Sequence, residues 1–546
     1  MPQFRNQVNA ECQTYSYQTV FHNPYAEYLV DVVHDTWKCI TYFMANQTGL
    51  PLDRSDPDNP QTSLTNIGLY MACVVGACDL GFINRTEAIQ RLNLTLSSLS
   101  RLEVWHGFPT EWLNAFTLER MWTNFLSTVS LGWYAAGLIT ARAAFPEIKD
   151  KCDQSLALMN WSKLYNPEKG LLYGGFDLST NSYSDWCYSE LSSENRMASF
   201  IAIGTEQVPA FHWSNLSREM ETWQGIKFLC WKDFGLFVYF MPGIFIDERA
   251  SFIGRSAANI TRAQMLFAQE KNYSAWGFSH CDFPCEKAYN LSYNVVPPYA
   301  SINTIHYYPI EVIRNMKELE RLNARPESYG FRDSINIETQ LVDDSYLVLD
   351  QGMLFLSLTN YLNGTIWRYF NSDPIVQRAK QLISDYQISN ETWQAYKTVF
   401  ENATIALMFA EYKGINVNDS LNDLMEAKMK FNAGQYSTAK AMAETILSTE
   451  VVKASSLLWE ASLTVHRMAE EGYNVTLAQT LLTEAEKALK AGQFSDSIML
   501  TEQAIVAANN AEIPEFTATG MVIATICVIG IVYYLRKNKS GIWTAK

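Results

Sequence analysis

Thr62-Ser-Leu-Thr-Asn-Ile-Gly-Leu-Tyr70 opens the first of a long series of apolar helical patterns. From Thr65 to about Leu382 such patterns alternate with loops rich in Gly, Pro, Ser and Asn, and convincing period-2 strands are few. The expectation is an all-α fold in which the long loops carry function. Upstream, Pro51, Pro57 and Pro60 mark a loop. Before it, one helical stretch from Ala26 to Ala45 places Tyr28, Leu29, Val32, Val33, Trp37 and Ile40 on one face.

Downstream the composition changes. Over residues 384 to 512 Ala, Glu, Lys and Leu rise while Gly and Trp fall. Ala427-Lys-Met-Lys-Phe-Asn-Ala-Gly-Gln-Tyr-Ser is echoed by Ala485-Glu-Lys-Ala-Leu-Lys-Ala-Gly-Gln-Phe-Ser. Each copy reads helix, Gly turn, helix, which is a tetratricopeptide-like hairpin. A stalk is the expected role, with a protein partner as the other use of such hairpins.

Thr517 to Leu535 runs about 19 residues without a charge, enough to cross a bilayer core. Arg536, Lys537 and Lys539 follow at once, the pattern of a cytoplasmic flank. The expected topology is a single-pass cell-membrane protein with everything before Thr517 outside. Sequons agree: Asn46, Asn84, Asn93, Asn160, Asn215, Asn259, Asn272, Asn290, Asn363, Asn390, Asn402, Asn418 and Asn474 each begin N-x-S/T. The first residues, MPQFRNQVNA, carry no apolar leader core. The domain expectation is therefore an N-terminal extension (1–26), a large helical domain (27–382), a helical stalk (383–512), a transmembrane helix (517–535) and a cytoplasmic tail (536–546).

The chain of 546 residues carries a formal charge of −15, a pI near 5.1 and no Lys/Arg-rich patch interleaved with aromatics, which argues against nucleic acid. No Gly-rich phosphate loop, HExxH or GxSxG is present, so neither a cofactor nor a metal is expected. The 15 Trp and 29 Tyr suit a deep core and equally suit stacking on sugar rings. No pair of the ten cysteines has CxxC spacing. Cys281 and Cys285 bracket a turn containing Pro284 and are close enough in sequence to bridge; the alternative is mostly buried free thiols.

Read as an ordered set, the motifs of the large region resemble the glucoamylase-like family, which includes endo-β-1,2-glucanases and the accessory domain of cyclic β-glucan synthases. Thr62 to Tyr70 is similar to its TSPTNIGLYL opening, and Cys78-Asp-Leu-Gly-Phe-Ile and Leu102-Glu-Val-Trp105 continue the pattern. Tyr165-Asn-Pro-Glu-Lys-Gly-Leu-Leu172, Ser192-Ser-Glu194-Asn-Arg196, Trp276-Gly-Phe-Ser279 through Asp282, Pro298-Tyr-Ala-Ser301, Tyr329 to Asp333, Asp344 to Leu347 and Asp350-Gln-Gly352 follow in order. The resemblance covers roughly residues 27 to 375. It implies an (α/α)6 toroid with a funnel at one end, acting on or binding a polysaccharide or oligosaccharide.

Glycoside hydrolysis needs two carboxyl groups, one held protonated by burial. The resemblance offers Glu194, Asp350 and Asp282 as catalytic candidates. Arg196, Glu111, Trp276, Tyr299, Asp333, Asp344 and Gln351 are the substrate-binding candidates. Three acidic positions of the family are replaced here, by Asn114, Ser130 and Val238. Glu111 lies near enough in sequence to compensate. Three functions stay open: an anchored glycosidase, a relative that binds sugar with weak or no hydrolysis, and an envelope scaffold whose stalk holds partners.

Overall fold

The computed structural model describes residues 23–512 apart from residues 57, 123 and 285. The apolar stretch from Thr517 to Leu535, its basic flank, and Cys12, Cys285 and Cys527 lie outside the described residues. Among the described residues no helix is long and apolar enough to cross a membrane.

Helices buried all round alternate along the chain with helices buried on one face. Leu64–Asp79, Thr128–Ala144, Arg196–Gly204, Phe237–Phe240, Pro298–Ile302 and Val348–Asn363 are almost wholly buried. Between them run Ala26–Tyr42, Arg85–Leu99, Lys149–Leu158, Phe211–Asn215, Phe252–Glu270 and Pro309–Arg321. The longer of these bury one stripe: Ala26–Tyr42 buries Leu29, Val32, Val33 and Ile40 and exposes Tyr42. The last inner helix packs against both Leu64–Asp79 and Ala26–Tyr42, so the ring of helices closes on its start.

Glycine sets how closely the inner helices approach. A Cβ at Gly68 would lie 2.2 Å from the Trp133 carbonyl oxygen, and one at Gly137 would lie 2.4 Å from the Gly68 oxygen. A Cβ at Gly132 would sit 2.7 Å from the Ala198 nitrogen, so helices Thr128–Ala144 and Arg196–Gly204 also touch backbone to backbone.

Short antiparallel hairpins stand where several inner helices begin. Gln61–Ser63 pairs with Trp112–Asn114 and leads straight into Leu64–Asp79. Phe125–Ser127, paired with Gly175–Asp177, leads into Thr128–Ala144. Val295–Val296, paired with Ile335–Asn336, precedes Pro298–Ile302. The helix N-termini and these hairpins together form one end of the ring.

The described chain falls into two compact units. One holds the residues up to Met408 together with Val417–Leu447; the other holds Phe409–Asn416 and the residues from Ser448 on. The first unit thus runs past residue 382. Lys428, on helix Asn418–Asn432, is buried and donates from Nζ to the Tyr307 carbonyl at 2.8 Å, while Phe431 packs on Tyr396 and Phe400. In the second unit Thr476–Lys490 and Phe494–Asn509 form an antiparallel hairpin around Gly492 at φ +75°. The echoed hairpin, Asn418–Asn432 with Tyr436–Ser448, turns at Gly434 with φ +80°. Phe409, Leu458 and Leu489 are at the core of the second unit.

Nine of the thirteen sequon asparagines are exposed and three are half-buried. Asn363 is the exception: it is buried, donates to Asp79 and accepts from the Thr365 backbone, so it is no acceptor for a glycan. Cys39, Cys73, Cys152 and Cys281 are buried free thiols, which favours that alternative over a framework of bridges among them.

Candidate functional site

Two groups of carboxyls gather at the hairpin end of the ring. The first is a set of aspartates. Asp350 lies in the first turn of Val348–Asn363, Asp282 on strand Cys281–Phe283, and Asp333 just before Ile335–Asn336. The Asp282 amide donates to Asp333 Oδ2 at 2.8 Å, and Arg54 Nη1 donates to Asp282 Oδ2 at 2.8 Å. Asp53, beside that arginine, accepts from Asn66 Nδ2 (2.8 Å) and Gln61 Nε2 (2.9 Å), and its carbonyl accepts from the Val348 amide (2.9 Å).

Neither Asp350 oxygen meets an N–H or O–H donor from another residue type; what they meet is the Asp333 carboxyl. A hydrogen bond between two carboxyls exists only when one carries a proton. Burial, reinforced by the Asp282 and Asp343 charges, pushes Asp333 up to about 7. Burial and the charges of Asp333, Asp282 and Asp53 push Asp350 further in the same direction. Burial, and for Asp350 the Asp333 charge, thus favours the protonated form in this pair.

The second group is a pair of glutamates. Glu194 sits at the entry to helix Arg196–Gly204, with the Ser193 hydroxyl at 3.4 Å. Burial raises its carboxyl above the ordinary range; Ser193 and Arg196 offset this in part, and Asp233 adds to it. Glu111 lies at the end of strand Trp112–Asn114, and Ser130 Oγ donates to its Oε1 at 2.7 Å. Burial raises Glu111 as well, against hydrogen bonds from Ser130 and Ser127. Tyr188 connects the two: after burial, the charges of Glu194 and then Glu111 raise its phenol.

The groups differ in access. Asp282, Asp333 and Asp350 are each 1% exposed, whereas Glu111 and Glu194 are only partly buried. The hairpins around them carry exposed rings: Trp122 (68%), Trp186 (45%), Tyr183 and Tyr289. Trp122 holds a left-handed backbone, φ 55°, a costly conformation for a bulky residue. Gly174 makes room for Trp186, whose ring lies 2.3 Å from where a Cβ would stand.

Other expected residues take other places. Arg196 does not face a ligand. It is 1% exposed, with its guanidinium divided between Glu248 (3.0 and 2.8 Å) and the carbonyls of Val238 (2.8 Å), Tyr239 (2.7 Å) and Ser193 (3.2 Å). This residue, a substrate-binding candidate from the sequence, is chiefly a buried pin between two inner helices. Tyr299 is buried and donates to the His280 carbonyl at 2.7 Å; Trp276 is buried and tied through its backbone to Asn315. Gln351 is buried, donating to the Phe331 carbonyl at 2.8 Å. Asp344 is exposed, and its carbonyl accepts from Arg332. Ser130 stands beside Glu111, but Asn114 is spent elsewhere: its Oδ1 caps a turn through the amides of Phe116 and Thr117. Val238 is buried.

Asp53, Arg54, Asn66, Tyr188 and Asp233 were not among the expected residues. Asp53-Arg54 stands in the proline-marked loop, where an adjacent acid and base were the available signal. Tyr188 and Asp233 carry none in sequence.

The Glycoamylase family model matches residues 187–374, and the model of a family of unknown function, DUF3131, matches residues 31–196. The chain is 25% identical over 292 residues to the cyclic β-(1,2)-glucan synthase of Rhizobium meliloti, covering 46% of this chain and 10% of that protein. It is 20% identical over 402 residues to the exo-β-1,2-glucooligosaccharide sophorohydrolase of Parabacteroides distasonis, covering 62% of this chain and 55% of that one. The chain thus spans a tenth and about half of these two curated relatives.

Among solved structures, a Bacteroides caccae protein named as a glucoamylase superposes with a TM-score of 0.61 at 18% identity, over 65% of this chain and 98% of its own. The endo-β-1,2-glucanase of Chitinophaga pinensis, solved with sophorotriose and glucose, gives 0.59 at 18% identity over 65% and 97%. That of Talaromyces funiculosus, solved with sophorose, gives 0.54 at 12% identity over 69% and 93%. These likenesses show the fold, a helical toroid shared with those structures. Over residues 187–374 the chain resembles the glucoamylase-like proteins.

Proposed function

We propose that the protein acts on β-1,2-linked gluco-oligosaccharides at the hairpin end of its ring, with Glu194 as the proton donor. One observation carries this reading: Glu194 is a carboxyl that burial inclines to keep its proton, yet it remains partly open to solvent. The relatives add the sugar, since the proteins of similar fold are named for β-1,2-glucan or solved with sophorose. We place the large domain outside the cell, held by Thr517 to Leu535, on the strength of the sequons and the basic flank.

A second reading, sugar binding with little or no hydrolysis, rests on the sealed aspartates and the neutral Asn114 and Ser130. Detergent-solubilised full chain incubated with β-1,2-gluco-oligosaccharides, with product analysis and calorimetry, separates the two. Turnover that falls by about 10²-fold or more in Glu194→Gln supports the enzyme. Binding with no products supports the second reading; neither binding nor turnover removes both.

A further inference from the structure

We propose that Glu111 is the second working carboxyl of this site, the partner of Glu194, and that Ser130 exists to hold it ionised. The inference rests on the hydrolytic reading above and adds the residue that would receive the proton of the attacking water.

Access decides between the carboxyls. Any group that touches a sugar must be reached by it, and Asp282, Asp333 and Asp350 are each 1% exposed, with Asp282 committed to Arg54. Glu111 and Glu194 are the partly open pair. They come from neighbouring elements. Ser130, which binds Glu111, stands in the first turn of Thr128–Ala144, and Glu194 stands just before Arg196–Gly204. Those two helices touch at Gly132 and Ala198, two residues beyond Ser130 and four beyond Glu194. Tyr188, on strand Cys187–Tyr188, feels both carboxylates.

The two environments suit opposite roles. Glu111 receives the Ser130 hydroxyl at 2.7 Å, a short hydrogen bond to an anion, and a second from Ser127. Glu194 has a long side-chain contact with Ser193, 3.4 Å, beside a backbone hydrogen bond, and the Asp233 charge nearby disfavours its ionisation. The short Ser130 bond fits Glu111 to the base role and leaves the acid role to Glu194. The backbone fixes Glu111 from both sides: its amide donates to the Phe125 carbonyl at 3.1 Å and its carbonyl accepts from Leu64 at 3.1 Å.

The step balances without a further reactant. Water attacks the anomeric carbon and gives one proton to the Glu111 carboxylate. The bond from the anomeric carbon to the glycosidic oxygen breaks, its electron pair stays on that oxygen, and the oxygen takes the proton of Glu194. The products are two sugars with free hydroxyls, and the two carboxyls exchange the proton with solvent before the next turnover.

The test uses the solubilised full chain and β-1,2-gluco-oligosaccharides. In Glu111→Gln, whose amide still accepts from Ser130, kcat is expected to fall by about 10²- to 10⁴-fold with KM within about three-fold. The acid limb of the pH–rate profile disappears. Ser130→Ala, which deprives the carboxylate of a donor, shifts that limb to higher pH. Glu111→Ala recovers rate when formate or azide is added, which a merely structural role would not do. If the wild type turns over and Glu111→Gln keeps kcat within two-fold with the same profile, the inference fails while the hydrolytic reading stands. If the wild type binds sugar but yields no product, both the inference and that reading fail.

Discussion

Replacing Asp350 by Asn isolates the cost of the buried aspartate pair. Asp333 and Asp350, each 1% exposed, are expected to share one proton. For a carboxyl whose folded value is raised, the folded state binds the proton more tightly than the unfolded chain. The associated stability is present in acid and is lost as pH rises from the unfolded value, near 4, through the folded one. Burial and then the Asp333 charge push Asp350 well above the ordinary carboxylate range, and the substitution removes that ionisable group, so the relief is about 1–3 kcal/mol at pH 9. The amide replaces the protonated carboxyl and donates to Asp333, which leaves little difference at pH 5. Thermal unfolding followed by circular dichroism at pH 5, 7 and 9 measures it. The variant's Tm relative to wild type should move from near zero at pH 5 to several degrees positive at pH 9. A difference that stays constant with pH, or turns negative at pH 9, refutes the shared proton.

Gly68→Ala drives a Cβ to 2.2 Å from a backbone oxygen that cannot rotate away, so a loss of about 3 kcal/mol or outright failure to fold is expected; a Tm within 1 °C of wild type would contradict the close helix approach. Arg196→Met leaves Glu248 buried without its guanidinium and should cost about 3–5 kcal/mol in denaturant unfolding. An effect confined to KM would instead return Arg196 to the ligand. Trp122→Ala removes an exposed ring from a left-handed backbone, so Tm should hold or rise while calorimetry shows oligosaccharide affinity falling roughly 3- to 10-fold. Unchanged affinity would mean the ring faces no sugar.

What the sequence revealed followed from covalent pattern. The alternation of apolar helices and polar loops, and the order of the motifs from Thr62 to Trp367, lead to the toroid because inner helices must be apolar all round and outer ones on one stripe. Glycine turns at Gly434 and Gly492 likewise announce their hairpins. The site was legible in membership more than in role. Asp282, Asp333 and Asp350 do meet, but motif position says nothing of depth, and depth is what separates them from Glu111 and Glu194. Arg196 stands among the substrate-binding candidates of the sequence. Its main partner, Glu248, is 52 residues away, a pairing that only the packed ring creates. Asn114 stands where the resembled family carries an acid, and its side chain closes a turn, a local use invisible until the backbone path is known.

The division of the chain carries a consequence for anyone who would dissect it. Composition changes near residue 384, which invites a cut there. A fragment ending at Leu382 would lose Lys428 from the Tyr307 carbonyl and Phe431 from Tyr396 and Phe400, stripping a side of the first unit rather than freeing it. Nor does any other single cut succeed. The chain leaves the first unit after Met408, returns at Val417 and leaves again after Leu447. One protease nick therefore always leaves at least one fragment carrying parts of both units. The two are not genetic modules, and a transplantable piece has to be made by excising a segment and rejoining the chain, or by keeping both.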